Sequence, residues 1–154
     1  MKKLLYIAGA ILLVAALWFA YYTISPLFRN VRVDEAVPQA QVPEANGSEQ
    51  IIGAVVIGTA GHSASGTARI VEAEGKKYIR YENFKTINGP DLYVYLAKDL
   101  EAKEYVSLGR LRATEGNVNY EIPSTVNPSD YRYVLTWCKL FDVLFNHADL
   151  KLNE

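Results

Sequence analysis

The sequence predicts an all-β domain of about eight strands, an antiparallel sandwich or barrel, behind one N-terminal transmembrane helix. Three observations carry that reading. Residues 4–24, LLYIAGAILLVAALWFAYYTI, form an uncharged run of the length a bilayer requires. From Ile51 onward, short runs rich in Val, Ile, Tyr and Phe alternate with turn residues. No segment after residue 50 shows helical periodicity, although 97–103 could close a single turn.

The anchor comes first. As a helix, 21 residues rise about 30 Å, the thickness of the hydrocarbon core. Lys2 and Lys3 precede the run, and Trp18, Phe19, Tyr21 and Tyr22 crowd its far end. Basic residues before the span and an aromatic belt after it place the N-terminus in the cytoplasm and the remainder outside. A cleaved signal peptide would have a shorter apolar region and small residues at its exit. Here the exit is bulky, so residues 1–28 are expected to stay as a membrane anchor. Residues 29–50 contain Pro38, Pro43 and the Asn46-Gly47-Ser48 corner, and read as a flexible linker. A linker of that length would hold a domain of residues 51–154 about 25 Å from the bilayer. Asn46-Gly47-Ser48 is also a glycosylation sequon.

The strands follow in order. Residues 51–58, 67–74 and 77–84 are the first three, the last two joined near Gly75. Strict alternation puts Tyr78, Arg80, Glu82 and Phe84 on one face of the third strand and Ile79 and Tyr81 on the other. Residues 92–97, LYVYLA, are apolar on both faces and so belong in the middle of a sheet. Strands over 105–112, 117–122, 131–138 and 141–145 complete the set. Before the central strand stands the corner Asn88-Gly89-Pro90-Asp91. Asn and Gly tolerate positive φ there, Pro fixes φ, and Asp caps the turn.

Composition narrows the function classes. A net charge of −1 and a pI near 6.1 leave no basic footprint for nucleic acid. One cysteine cannot form an internal disulfide. That cysteine, Cys138, ends a strand beside Trp137, just before the Lys139-Leu140 bend. If alternation holds, Tyr133, Leu135 and Trp137 point one way and Val134, Thr136 and Cys138 the other. Cys138 is either a small buried hydrophobe or a reactive thiol, the latter needing access and a lowered pKa. His62, Cys138 and His147 supply the bare inventory of a copper site, but Met1 is the sole methionine and the spacing is wrong for a compact cupredoxin loop. Covalent haem attachment would need C-x-x-C-H, which is absent. Gly61 to Gly66 departs from a nucleophile elbow at its fifth position and reads as a polar loop. Eight tyrosines and Trp137 fall in the domain, where packing and redox hopping are both open uses.

The blocks Gly66-Thr67-Ala68, Glu82-Asn83-Phe84 through Leu96, Leu108-Gly109 with Leu111, Tyr120-Glu121-Ile122-Pro123, and Trp137-Cys138 with Phe141 and Val143 resemble the DM-thirteen domain. That family accompanies DOMON domains in Skeletor-like proteins and also occurs alone in microbial membrane proteins. The resemblance spans roughly 51–150. It implies an extracellular electron-transfer or redox domain with Cys138 as the redox-active group. It also matches His62 to a histidine of the family's first loop and places Asp91 in the signature corner. This chain carries no DOMON domain, so any haem would come from a partner protein. A non-catalytic surface binding module and a small copper carrier are the competing expectations.

Overall fold

The computed structural model describes residues 2–25, 29–38 and 53–151. The helix α1 (Lys2–Ile24) has 23 residues and no buried side chain. It is apolar around its whole circumference and long enough to cross a membrane. The sequon at Asn46 and the first two residues of the expected strand at Ile51 lie outside the described residues.

Among the described residues, ten strands form two five-stranded sheets. They are β1 (Arg32–Asp34), β2 (Ala54–Val55), β3 (Ile57–Gly58), β4 (Ala64–Ala73), β5 (Lys76–Thr86), β6 (Leu92–Ala97), β7 (Tyr105–Arg110), β8 (Glu115–Ile122), β9 (Tyr133–Cys138) and β10 (Val143–Asp149). The first sheet runs β1-β8-β5-β4-β2 and the second β3-β10-β9-β6-β7. All pairings are antiparallel except β1 with β8. The expected strand over 51–58 is thus split. Its chain leaves the first sheet after Val55, buries Val56, and joins the second at Ile57. β6 lies between β9 and β7, as its two-sided apolar pattern implies. Ile79, Tyr81, Phe84, Val94, Leu96, Val118 and Val134 fill the space between the sheets.

Part of the stretch read as a linker is a strand. Arg32–Asp34 pairs in parallel with Glu115–Asn117. Gly116 permits this with φ +110, since a Cβ there would lie 2.1 Å from the Val33 carbonyl oxygen. Residues 35 and 36 then cover the outside of the first sheet. The buried Arg80 guanidinium donates to the Glu35 and Ala36 carbonyls, and the Glu35 carboxylate accepts from the Asn119 N–H at 2.7 Å. A three-residue edge strand gives almost no period to read, and its partner is more than 80 residues away, so composition alone suggested a linker.

Alternation fails on β5. A bulge between Tyr81 and Phe84, with Asn83 at φ +48, turns Phe84 to the face of Ile79 and Tyr81. The rings of Tyr81 and Phe84 lie 4.4 Å apart between the sheets. The 88–91 corner also differs from expectation, because neither Asn88 nor Gly89 uses a positive φ. Gly89 sits in a tight space instead: a Cβ would lie 3.0 Å from the Leu92 and Phe145 side chains, which would have to give way. Asn88 fastens the incoming chain, its Nδ2 donating to the Arg29 carbonyl at 2.9 Å.

Candidate redox site at the end of strand β9

On β9 the expected alternation holds. Val134, Thr136 and Cys138 face the space between the sheets. Leu135 and Trp137 face outward and pack with Tyr95 and Ala97. The sequence places Cys138 at the last position of the strand, opposite Leu92 on β6 and Val143 on β10. There it is 0% exposed, in an apolar cluster with Leu92 and Phe145. Ile87, Leu111 and Val143 close over that cluster. With no surface exposed, the sulfur is out of reach of an external thiol or peroxide in the closed fold.

Trp137 faces the other way. Its Nε1–H donates to Asp142 Oδ1 at 3.2 Å across the β9–β10 bend. The positive φ of Asp142, +52, belongs to the same tight return. Trp137 opens a row of rings along the outer face of the second sheet. Its ring stacks with Tyr95 at 6.5 Å between centroids, and Tyr95 stacks with Tyr105 at 4.1 Å. Tyr93 lies 6.3 Å from Tyr95. Tyr95 and Trp137 are buried at 3% and 8% exposure, whereas Tyr105 is 45% exposed and opens the row to solvent. Burial, together with the neighbouring Tyr105 phenol, pushes the Tyr95 hydroxyl up to about 12. Tyr95, at the middle of the row, therefore stays protonated at neutral pH.

Cations frame the row. The Arg110 guanidinium lies 5.6 Å from the Tyr93 ring and the Lys139 ammonium 5.5 Å from it. Asp91 pairs with Arg110 through its side chain and accepts the Lys139 N–H at its carbonyl. It does not cap the corner; it ties β7 to the bend after Cys138. Further along the same face, Arg132 stacks over Tyr133 at 5.1 Å and binds Asp149. That guanidinium, with the Lys151 N–H, holds the Asp149 carboxyl below the usual carboxylate range.

The remaining site residues do not converge on the thiol. His62 lies near the same end of the sandwich, with its ring stacked on Phe145 at 3.9 Å and Nδ1 3.0 Å from the Thr59 hydroxyl. Phe145 stands between it and the Cys138 cluster as part of that cluster. His147 belongs to the opposite face, edge-on to Tyr133, where burial lowers its pKa. Among the described residues no three of His, Cys, Asp and Glu lie together as a metal site. His62, Cys138 and His147 therefore do not form the copper site their inventory allowed. The members that sequence reasoning overlooked are Tyr93, Tyr95, Tyr105 and Asp142. Tyr93 and Tyr95 were legible as a same-face pair on β6, but Tyr105 joins them only through the β6–β7 pairing.

Comparison with known proteins bears on this geometry. Neither the curated proteins nor the solved structures contain a match to the chain. A family model described as "Electron transfer DM13" matches residues 56–150, which include every residue of the row and the thiol. The chain belongs to the DM13 electron-transfer family.

Proposed function

We propose that this chain is a membrane-anchored, extracytoplasmic one-electron transfer domain, and that Cys138 is reached by electrons rather than by reagents. The observation that carries the reading is the ring row from exposed Tyr105 through Tyr95 to Trp137, with separations of 4.1 and 6.5 Å, ending one residue from the sealed thiol. Electrons cross such gaps; thiols and peroxides do not cross the cluster around Cys138. In the oxidising direction, Trp137 gives up one electron through Tyr95 and Tyr105 to a one-electron oxidant, such as an oxidised haem or metal centre on a partner protein. Its Nε1 proton passes to the Asp142 carboxylate along the existing hydrogen bond. A one-electron donor then refills the indole and the proton returns. The lysines that open α1 and the aromatic belt at its far end support an outward-facing domain.

Freeze-quenched electron paramagnetic resonance on the full chain tests this. The background carries Trp18→Phe, so that Trp137 is the sole indole. One-electron oxidation should give an indole radical that Trp137→Phe removes. Cys138→Ala should change its lifetime if the thiol exchanges electrons with it. An unchanged lifetime removes the cysteine from the mechanism, and the absence of any indole radical contradicts the proposal as a whole. A second reading, a binding module with no redox step, is favoured by one observation, the complete burial of Cys138 as an ordinary core residue.

A further inference from the structure

The two ends of the sandwich are not equivalent. At one end the chain arrives from α1. Arg29 is fastened by Asn88, and Val31 exchanges hydrogen bonds with Thr114, its N–H donating to the Thr114 hydroxyl at 2.8 Å and its carbonyl accepting the Thr114 N–H at 2.8 Å. The same end carries the 88–91 corner and the β9–β10 bend, joined by the Lys139 N–H donating to the Asp91 carbonyl at 2.9 Å. Only five Cα–Cα steps separate Ile24, the last residue of α1, from Arg29. Whatever their conformation, five steps reach at most about 18 Å. A domain tied to its helix this closely cannot stand off from the bilayer, and this end faces it.

That end is also unusually apolar at its tip. Leu140 and Phe141, adjacent in the bend, are 44% and 51% exposed, and Val31, on the incoming chain, is 44% exposed. A short bend in water ordinarily carries polar residues. Lys139 precedes the pair, and Arg29 and Lys85 lie at the same end; of the acids there, Asp91 is paired with Arg110, Glu115 with Arg32, and Asp142 accepts the Trp137 Nε1–H, so cations are left for lipid phosphates. We propose that the Lys139–Asp142 bend seats in the lipid interface, with Leu140 and Phe141 below the headgroups and Lys139 among the phosphates. The occupant is the surface of the bilayer that α1 spans, so this inference rests on reading α1 as an uncleaved anchor. Seating fixes the domain's orientation. Tyr105, at the opposite end of the second sheet, then points away from the membrane toward soluble partners.

The test uses the full chain in lipid nanodiscs, in a Cys138→Ala background. A nitroxide is placed in turn at Phe141→Cys, at Leu140→Cys, at Glu101→Cys on the far end, and at Leu13→Cys inside α1. Accessibility to oxygen relative to a water-soluble nickel complex reports depth. The inference predicts a shift toward oxygen at 141 and 140, between the values at 13 and 101. If 13 reads as lipid while 140 and 141 match 101, the bend is in water and this inference falls alone. If 13 itself reads as water, the anchor reading fails and takes this inference with it. Should Cys138→Ala disturb folding, the labels are placed in the native background, where the sealed thiol does not compete.

Discussion

The two faces of the second sheet are built from the same strands and serve opposite ends. Facing the first sheet, β6 and β9 present Val94, Leu96, Val134, Thr136 and Cys138, all completely buried. Facing outward, they present Tyr93, Tyr95, Leu135 and Trp137, framed by Arg110, Lys139 and Asp142. The inner face is aliphatic, closed and silent toward solvent chemistry. The outer face is aromatic, edged with charge, and open at Tyr105. A period of two lets one strand serve a core and a working surface at once. It also explains how a cysteine beside a tryptophan can be inaccessible while the tryptophan is not isolated.

The largest effect should come from damaging the inner face. Leu96→Ala leaves a hole in a site with 0% exposure and should cost about 3 kcal/mol. The midpoint of guanidinium unfolding reads this, and a loss under about 1 kcal/mol would show the core to be looser than its packing implies. Next is the join that brings the chain from α1 into the first sheet. Gly116→Ala forces a Cβ against the Val33 carbonyl at a positive φ and should cost about 2 kcal/mol. It should also expose residues 29–38 to protease while the native chain resists, which separates a local release from global unfolding.

Cys138→Ala should cost about 1 kcal/mol, the value of a small buried group. The native thiol should ignore a thiol reagent until denaturant is added. Rapid native reaction would break the contrast between the faces. The smallest effect belongs to the charged frame of the outer face. Asp149 has its folded pKa depressed, first by Arg132. Its contribution is therefore complete above the unfolded carboxylate value of about 3.9 and is lost as pH falls through the lower folded value. Asp149→Asn should lower stability slightly at neutral pH and flatten that acid limb. An unaltered limb would place acid sensitivity elsewhere, for example at Glu82, which Arg69 and Arg80 hold down in the same direction.

The contrast also shows what the sequence could and could not disclose. The strands from β4 to β10 were legible because each is a run bounded by turn residues, and β9 obeyed alternation to its last residue. Phe84 was misplaced because a bulge adds a residue without any mark in composition. β1 was missed because its place depends on a glycine at 116. At the site, Cys138 and Trp137 could be assigned to opposite faces from spacing alone. The burial of the thiol, the Asp142 partner and the approach of Tyr105 depend on which strands lie side by side, and that is decided by the fold.

The claim that matters most is that electrons use the outer face. Laser flash oxidation of the full chain by a photo-oxidant attached beside Tyr105 measures it directly, as the rate at which the Trp137 radical appears. Tyr95→Phe keeps the ring and its packing but removes the oxidisable phenol from the middle of the row. The account predicts that this variant slows the radical's appearance at least tenfold while the unfolding midpoint barely moves. An unchanged rate in Tyr95→Phe would show that the row is packing, and that electrons, if they pass at all, take another path.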